Sequence, residues 1–296
     1  NQRLSVDLLL FYQHRERQPV ISQNEGQDFI KTHNIKSVVE HFIDINKGSI
    51  RTTLGWMNDQ MIYNQNPKIR SQQMTLTQRY EYDIGDHFHL NSGFLINLLT
   101  AKGSNLENIN PQKQLDFFVI VTYRINDRWS STWGLRESFM IDAGSKLLPS
   151  LGAERKWIFP KSSLVSHAKI AQGFRYPTLN DRFWLPGGNP SLNPEQSAST
   201  EIGFELRYPK FNTQVNIYQT WARDWILWLP QSGNIWRPEN IQKVAISGID
   251  YALGYQYFLN ETELESEVVL NYQRSINKSA YPSQAAYGNQ LPYVPY

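Results

Sequence analysis

Apolar and polar side chains alternate with period two through about a dozen runs of this chain, each long enough for the roughly 9 to 11 residues of a tilted membrane strand. Residues 3–17 set Leu4, Val6, Leu8, Leu10 and Tyr12 against Ser5, Asp7 and Gln13. Residues 87–99 set Phe88, Leu90, Phe94, Ile96 and Leu98 against His87, His89, Asn91 and Asn97. In residues 115–124 the apolar set is Leu115, Phe117, Val119, Val121 and Tyr123, facing away from Asp116, Thr122 and Arg124. Further on, Leu264, Val268, Leu270 and Tyr272 oppose Glu263, Glu265, Glu267, Asn271 and Gln273. Carboxylates in that number are destabilising in hydrocarbon and tolerable in a wet lumen, so each run reads as a strand with lipid on one side and water on the other. No run reads as a long amphipathic helix. Glu137, on the apolar side between Leu135 and Phe139, is a misfit that calls for either a headgroup-level position or a register slip.

The joins between runs are asymmetric. Tight ones fall at Asn46 to Gly48, Gly85 to Asp86, Asn126 to Asp127, Pro160 to Ser163, Pro209 to Asn212 and Leu259 to Thr262, where Gly, Asn, Asp and Pro supply the backbone angles of a hairpin. Longer gaps lie near residues 18–34, 64–69, 100–111, 142–149, 176–195, 230–240 and 277–290. Short and long alternate throughout, which predicts an all-β, antiparallel up-and-down barrel with every short turn at one end. A Greek-key sandwich does not hold that alternation. Aromatic residues near the strand ends, among them Tyr12, Trp56, Tyr63, Tyr80, Tyr82, Trp129, Trp133, Trp157, Phe174, Trp221, Trp225, Trp228, Tyr255 and Tyr257, fit girdles at two membrane interfaces.

Composition changes this picture little. The 296 residues include 9 Trp and 16 Tyr, with 19% charged residues and a net charge of +2, which gives no electrostatic case for nucleic acid. With Cys 0, disulfides and thiolate chemistry are excluded. A mean hydropathy of -0.51 would ordinarily mean a soluble chain, but a barrel strand dilutes its lipid face with its lumen face. His87 and His89 share a face without an identifiable third ligand, so they read as polar lumen residues. His167, Ser150 and Asp181 form no recognisable triad, and no nucleotide loop is present, so neither an enzyme nor a cofactor is expected.

The segment GFRYPTLNDRFWLPGGNPSLNPEQSASTEIG at 173–203 joins two strand-like runs. It carries Gly173, Phe174, Arg175, Pro177, Thr178, Leu179 and Asn180, then Gly188, Asn189, Pro190, Leu192, Pro194, Glu195 and Ser197, and finally Glu201 and Gly203. That order resembles a segment of TonB-dependent outer-membrane receptors, and LLPSLGAERKW at 147–157 and YGNQLPYVPY at 287–296 are similar to its flanking elements. The resemblance covers about the last half of the chain. It implies a partial outer-membrane barrel spanning 1–296, from a fold of about 22 strands with a plugged lumen. The N-terminal plug, the first strands and the last strands are expected outside this sequence.

By resemblance, the whole protein would sit in the outer membrane of a Gram-negative bacterium. It would capture a scarce nutrient, cobalamin or a ferric siderophore, and import it with energy delivered by TonB through a segment ahead of the barrel. Outer-membrane lipid and lipopolysaccharide would surround it, and a surface lipoprotein is a further candidate partner. Two alternatives remain at this point: an ungated porin or adhesin barrel, and a secreted soluble β protein that binds carbohydrate. Gly173, Phe174, Arg175, Pro177, Leu179, Asn189, Pro190, Pro194, Glu195, Glu201 and Gly203 read as structural scaffold, with Arg175, Glu195 and Glu201 available to pin the loop by charge pairing. Asn180, Arg182, Phe183 and Trp184, together with Trp236 and Arg237 of SGNIWRPEN at 232–240, are the expected ligand contacts.

Overall fold

The computed structural model describes residues 1–17, 28–63, 68–106, 109–141, 143–232, 235–259, 262–279 and 287–291. The strands are β1 (Gln2–Arg17), β2 (Asp28–Ile45), β3 (Gly48–Tyr63), β4 (Lys68–Ile84), β5 (Phe88–Gly103), β6 (Gln112–Asn126), β7 (Trp129–Met140), β8 (Gly144–Phe159), β9 (Ser162–Arg175), β10 (Glu195–Arg207), β11 (Phe211–Pro230), β12 (Trp236–Leu259) and β13 (Thr262–Asn277). One short helix, α1 (Leu179–Phe183), interrupts the connection from β9 to β10. All 13 strands lie in one sheet in chain order, each antiparallel to its neighbours, so the meander expected from the alternating joins is the observed topology. Among the described residues β1 and β13 do not pair with each other. Residues 288–291 begin a further ladder along β13, through Asn277 N–H to Asn289 O at 3.0 Å and Leu291 N–H to Ser275 O at 2.8 Å.

The register sorts the side chains as the alternation predicts. Opposed pairs such as Leu54↔Leu76, Leu76↔Ile96, Phe94↔Phe117 and Val119↔Leu135 run across one face of the sheet. That face is bare: Phe117 is 49% exposed and Val119 46%, whereas Asp116, which points the other way, is 1% exposed. In a water-soluble fold such a surface would be an unmanaged liability, and in hydrocarbon it is the solvated side. Glu137 pairs with Phe117 and Leu147 on the same bare face, and the only irregularity in that ladder lies between Arg124 and Asn126. The misfit is therefore no register slip; Glu137 lies toward the long-loop end of β7.

The short turns occupy one end, with Lys47 at φ 63 and Gly85 at φ 60 in the left-handed region that a two-residue hairpin demands. Phe88 stacks on Tyr123 near that end, at 4.7 Å between centroids, and Arg155 lies 4.9 Å from the Trp129 ring and 4.5 Å from the Trp157 ring. Trp228 departs from the girdle expectation. Its indole faces inward and donates to Asp181 Oδ1 at 2.9 Å.

At the other end the strands run further than the sequence pattern indicates. Residues 144–149 belong to β8, 236–240 to β12, 100–103 to β5 and 29–34 to β2, all within stretches that read as loop in the sequence. Pro149 and Pro238 are breakers on local grounds, yet the ladders continue past both, opposite Leu135 and Trp228. The central parts of the joins at 18–34, 64–69 and 277–290, the Tyr63 side chain, and residues 292–296 of the YGNQLPYVPY element lie outside the described residues.

Candidate functional site

The concave side of the sheet and the β9–β10 connection line an open cavity of about 1320 Å³. Its wall comes from the inward positions of the central strands, and α1 reaches over it from the long-loop end. The helix is short but well terminated. Thr178 caps it, with Asp181 N–H donating to Thr178 Oγ1 at 3.1 Å and Asp181 Oδ2 accepting from Thr178 N–H at 2.9 Å. That reciprocal box satisfies two donors that a helix start otherwise leaves open.

Buried charge holds the connection in place. Arg175 grips Glu195 through two parallel bonds, Nε to Oε2 and Nη2 to Oε1, each 2.6 Å. Its third nitrogen stands 3.8 Å from Asp181 Oδ2. Glu195 Oε1 also accepts the Ile226 N–H of β11 at 2.7 Å, so one carboxylate ties the loop to the next hairpin. Both Glu195 and Asp181 are buried, and a buried carboxylate persists only when its lone pairs are met, as these are. Asn189 bonds the Pro238 carbonyl at 3.2 Å, and Asn240 receives the Asn193 N–H at 2.9 Å, which fastens the loop to β12. Tyr176 donates to the Gly144 carbonyl at 3.2 Å, and burial pushes its phenol above the ordinary value, with a hydrogen bond to Ser138 opposing the shift.

Two glycines are dictated by close approach. A Cβ on Gly203 would stand 2.2 Å from His167 Cε1 and 2.4 Å from Asn216 Oδ1, in the space where the His167 ring reaches Glu201 at 3.1 Å. Gly187, at φ 130, would bring a Cβ within 2.2 Å of the Trp236 carbonyl.

The residues expected at the ligand are placed unequally. Asn180 lines the cavity. Leu179 is buried with Ala101 and Leu106, and Phe183 and Trp184 pack against the same cluster. Trp184 further bridges Leu106 through backbone, and Leu185 N–H donates to Asn105 O at 2.9 Å, joining the β9–β10 and β5–β6 connections. Arg182 lies over the Phe183 ring at 4.7 Å. Trp236 and Arg237 sit at the outer end of the β11–β12 hairpin, both exposed. Of the remaining motif positions, Pro177 is buried, Gly173 faces Ser197 Oγ, and Phe174 lies on the opposite, outward face of β9.

Sequence reasoning missed much of the wall. Asp116 is held by Gln114 at 3.1 Å on both oxygens and by Arg136 of β7. Asp59 Oδ1, Asn34 Oδ1 and Gln112 Nε2 border the cavity without a hydrogen-bond partner among the described residues. Their inward parity was readable; their convergence needed the sheet's curvature. His87 bonds the Arg124 carbonyl and His89 the Asp83 carboxylate, each at 2.8 Å, and no group of three or more metal-ligating side chains occurs among the described residues.

Residues 5–296 match the family described as TonB dependent receptor-like, beta-barrel. The chain belongs to this family. The bare face of this TonB-dependent receptor barrel is therefore its lipid face, the short turns are periplasmic, and the protein is an outer-membrane component of a Gram-negative bacterium, with no enzymatic role. Membership removes the reading as a secreted soluble protein.

Among relatives, the chain is 32% identical over 111 residues to the vitamin B12 transporter BtuB of Vibrio vulnificus, covering 37% of this chain and 18% of that protein. It is 26% identical over 204 residues to the vitamin B12 transporter BtuB of Photobacterium profundum, covering 64% of this chain and 31% of that protein. The chain thus spans less than a third of the length of the curated relatives it matches. In fold it is similar to the FrpB iron transporter of Neisseria meningitidis (F5-1 variant), with a TM-score of 0.77 over 98% of this chain and 54% of that one at 12% identity.

Proposed function

We propose that this barrel forms the binding wall and outer mouth of a receptor that captures a scarce, bulky nutrient at the cell surface and imports it with energy supplied through TonB. Cobalamin is the first reading. The observation that carries it is the pair of alignments to vitamin B12 transporters, and the wall chemistry supports it. Asn34, Asn97, Gln112 and Gln114 offer neutral amide donors and acceptors around the cavity, and a corrinoid presents a rim of amides that such groups match.

A ferric siderophore is the second reading. Arg79 and Lys169 also line the cavity, and cations there suit an anionic chelate. In either case Asn180, Arg182, Phe183, Trp184, Trp236 and Arg237 are the proposed mouth contacts. Asn180 and Arg237 would meet the ligand directly, and the packed rings of Phe183 and Trp184 would hold Asn180 in place.

The test uses the full-length protein in cells lacking their own cobalamin receptor. Labelled cyanocobalamin and a labelled ferric catecholate are supplied in turn, with and without TonB. Cobalamin bound in both strains but accumulated only with TonB is the expected result. Accumulation of the ferric compound alone selects the second reading, and uptake that persists without TonB favours an ungated pore and sinks both.

A further inference from the structure

Strands β8 and β9 pair only from Ser150↔Ala171 down to Phe159↔Ser162. Above that point β8 continues as far as Gly144 on β7 alone, and β9 continues as far as Arg175 on β10 alone. The parted seam opens a groove of about 470 Å³ that runs across β10, β11 and β12 toward the end of β13. Register places most of its large side chains on the outward face in two adjacent cross-strand rows, Gln172↔Ala198↔Trp221 and Phe174↔Gln196↔Arg223↔Lys243.

The lining has two halves. Leu147, Phe174 and Trp221 give an apolar floor continuous with the hydrocarbon-facing surface, and Trp221 is 53% exposed. Arg223, Lys243 and Lys278 rise at its outer rim, and among the described residues every charged side chain in the lining is a cation. Arg223 is steadied by Gln196 Oε1 at 2.6 Å, and Lys278 stands 5.7 Å from the Tyr287 ring. Neither interaction neutralises a charge. An apolar trough crowned by cations, at the level where strands leave the bilayer, matches one kind of molecule: acyl chains below and phosphate above.

We propose that this groove is a specific site for a phosphorylated, acylated lipid of the outer leaflet, with its chains along Leu147, Phe174 and Trp221 and its phosphate between Arg223, Lys243 and Lys278. The proposal rests on the outer-membrane placement of the barrel and is independent of which nutrient is imported. A lipid seated there would fill the seam between β8 and β9, beside the Tyr176 to Gly144 bond that spans it.

The test uses the full-length protein, purified in detergent and stripped of lipid. It is offered bisphosphorylated lipid A, the same lipid with both phosphates removed, and inorganic phosphate as competitor, and retained lipid is counted by native mass spectrometry. Lipid A should be retained at a single tight site, and removing its phosphates should weaken retention on the order of tenfold or more. The variant carrying Arg223→Gln, Lys243→Gln and Lys278→Gln should show a loss of the same order for lipid A and none for the dephosphorylated lipid. Equal retention of the two lipids by the unaltered protein would overturn the proposal without recourse to any variant. Displacement by inorganic phosphate alone, or unchanged retention by the triple variant, would overturn it as well.

Discussion

At the scale of single residues, Arg175 carries the heaviest electrostatic duty in the loop, because two carboxylates that the fold has taken out of water depend on it. Arg175→Gln removes the cation shared by the two buried carboxylates, leaving Glu195 with the Ile226 N–H and Asp181 with Thr178 and Trp228 as neutral donors. The fully buried case costs about 3–5 kcal/mol, and the half-exposed guanidinium lowers this to about 2 kcal/mol. The damage should stay local, since the strands below are paired independently of it. Limited proteolysis should cut within 176–194 in the variant while the barrel keeps its heat-modifiable mobility; an uncut loop would show that Asn189 and Asn240 suffice to hold it.

At the scale of elements, the strand faces make a quantitative contrast available between adjacent positions. Val119 faces lipid and Ile120 lines the cavity, so the same substitution meets two solvents. Val119→Arg should cost about 2–4 kcal/mol near the midplane, and Ile120→Arg much less. Urea titration of folding into lipid vesicles reads both, and equal costs would refute the assignment of faces. This contrast was legible from Leu115, Phe117, Val119 and Val121 against Asp116 and Thr122, because a period of two is a local property. The loop-end boundaries were not. Pro149 and Pro238 oppose strand locally, and only the neighbouring strand supplies the ladder that carries β8 and β12 past them. The same limit hid Trp228: its position suited a girdle, and the carboxylate that turns it inward lies on α1, remote in sequence. Conversely, Arg175 and Glu195 were readable as a pair because a shared motif sets them at the two ends of one loop.

At the scale of the whole molecule, the sheet's openness sets a condition on insertion. Strand β1 has Leu8, Leu9, Leu10 and Phe11 exposed on both faces, and among the described residues it pairs on one side only, with β2. Unmet backbone groups in hydrocarbon cost several kcal/mol each, so an edge of this length is untenable in a bilayer. Residues 1–296 produced alone should fail to give a protease-protected, urea-resistant species in vesicles, whereas the full-length protein should give one. Protection of the isolated segment would mean that it closes its edges by self-association.

The bridge between Leu106 and Trp184 has a different kind of consequence. It is made by main-chain atoms, as is the neighbouring bond from Leu185 to Asn105, so the link itself asks nothing of side-chain identity, and the buried Leu106 and packed Trp184 answer to the cluster beneath them instead. A lintel built from peptide groups leaves the exposed residues around it free to vary while the doorway keeps its shape.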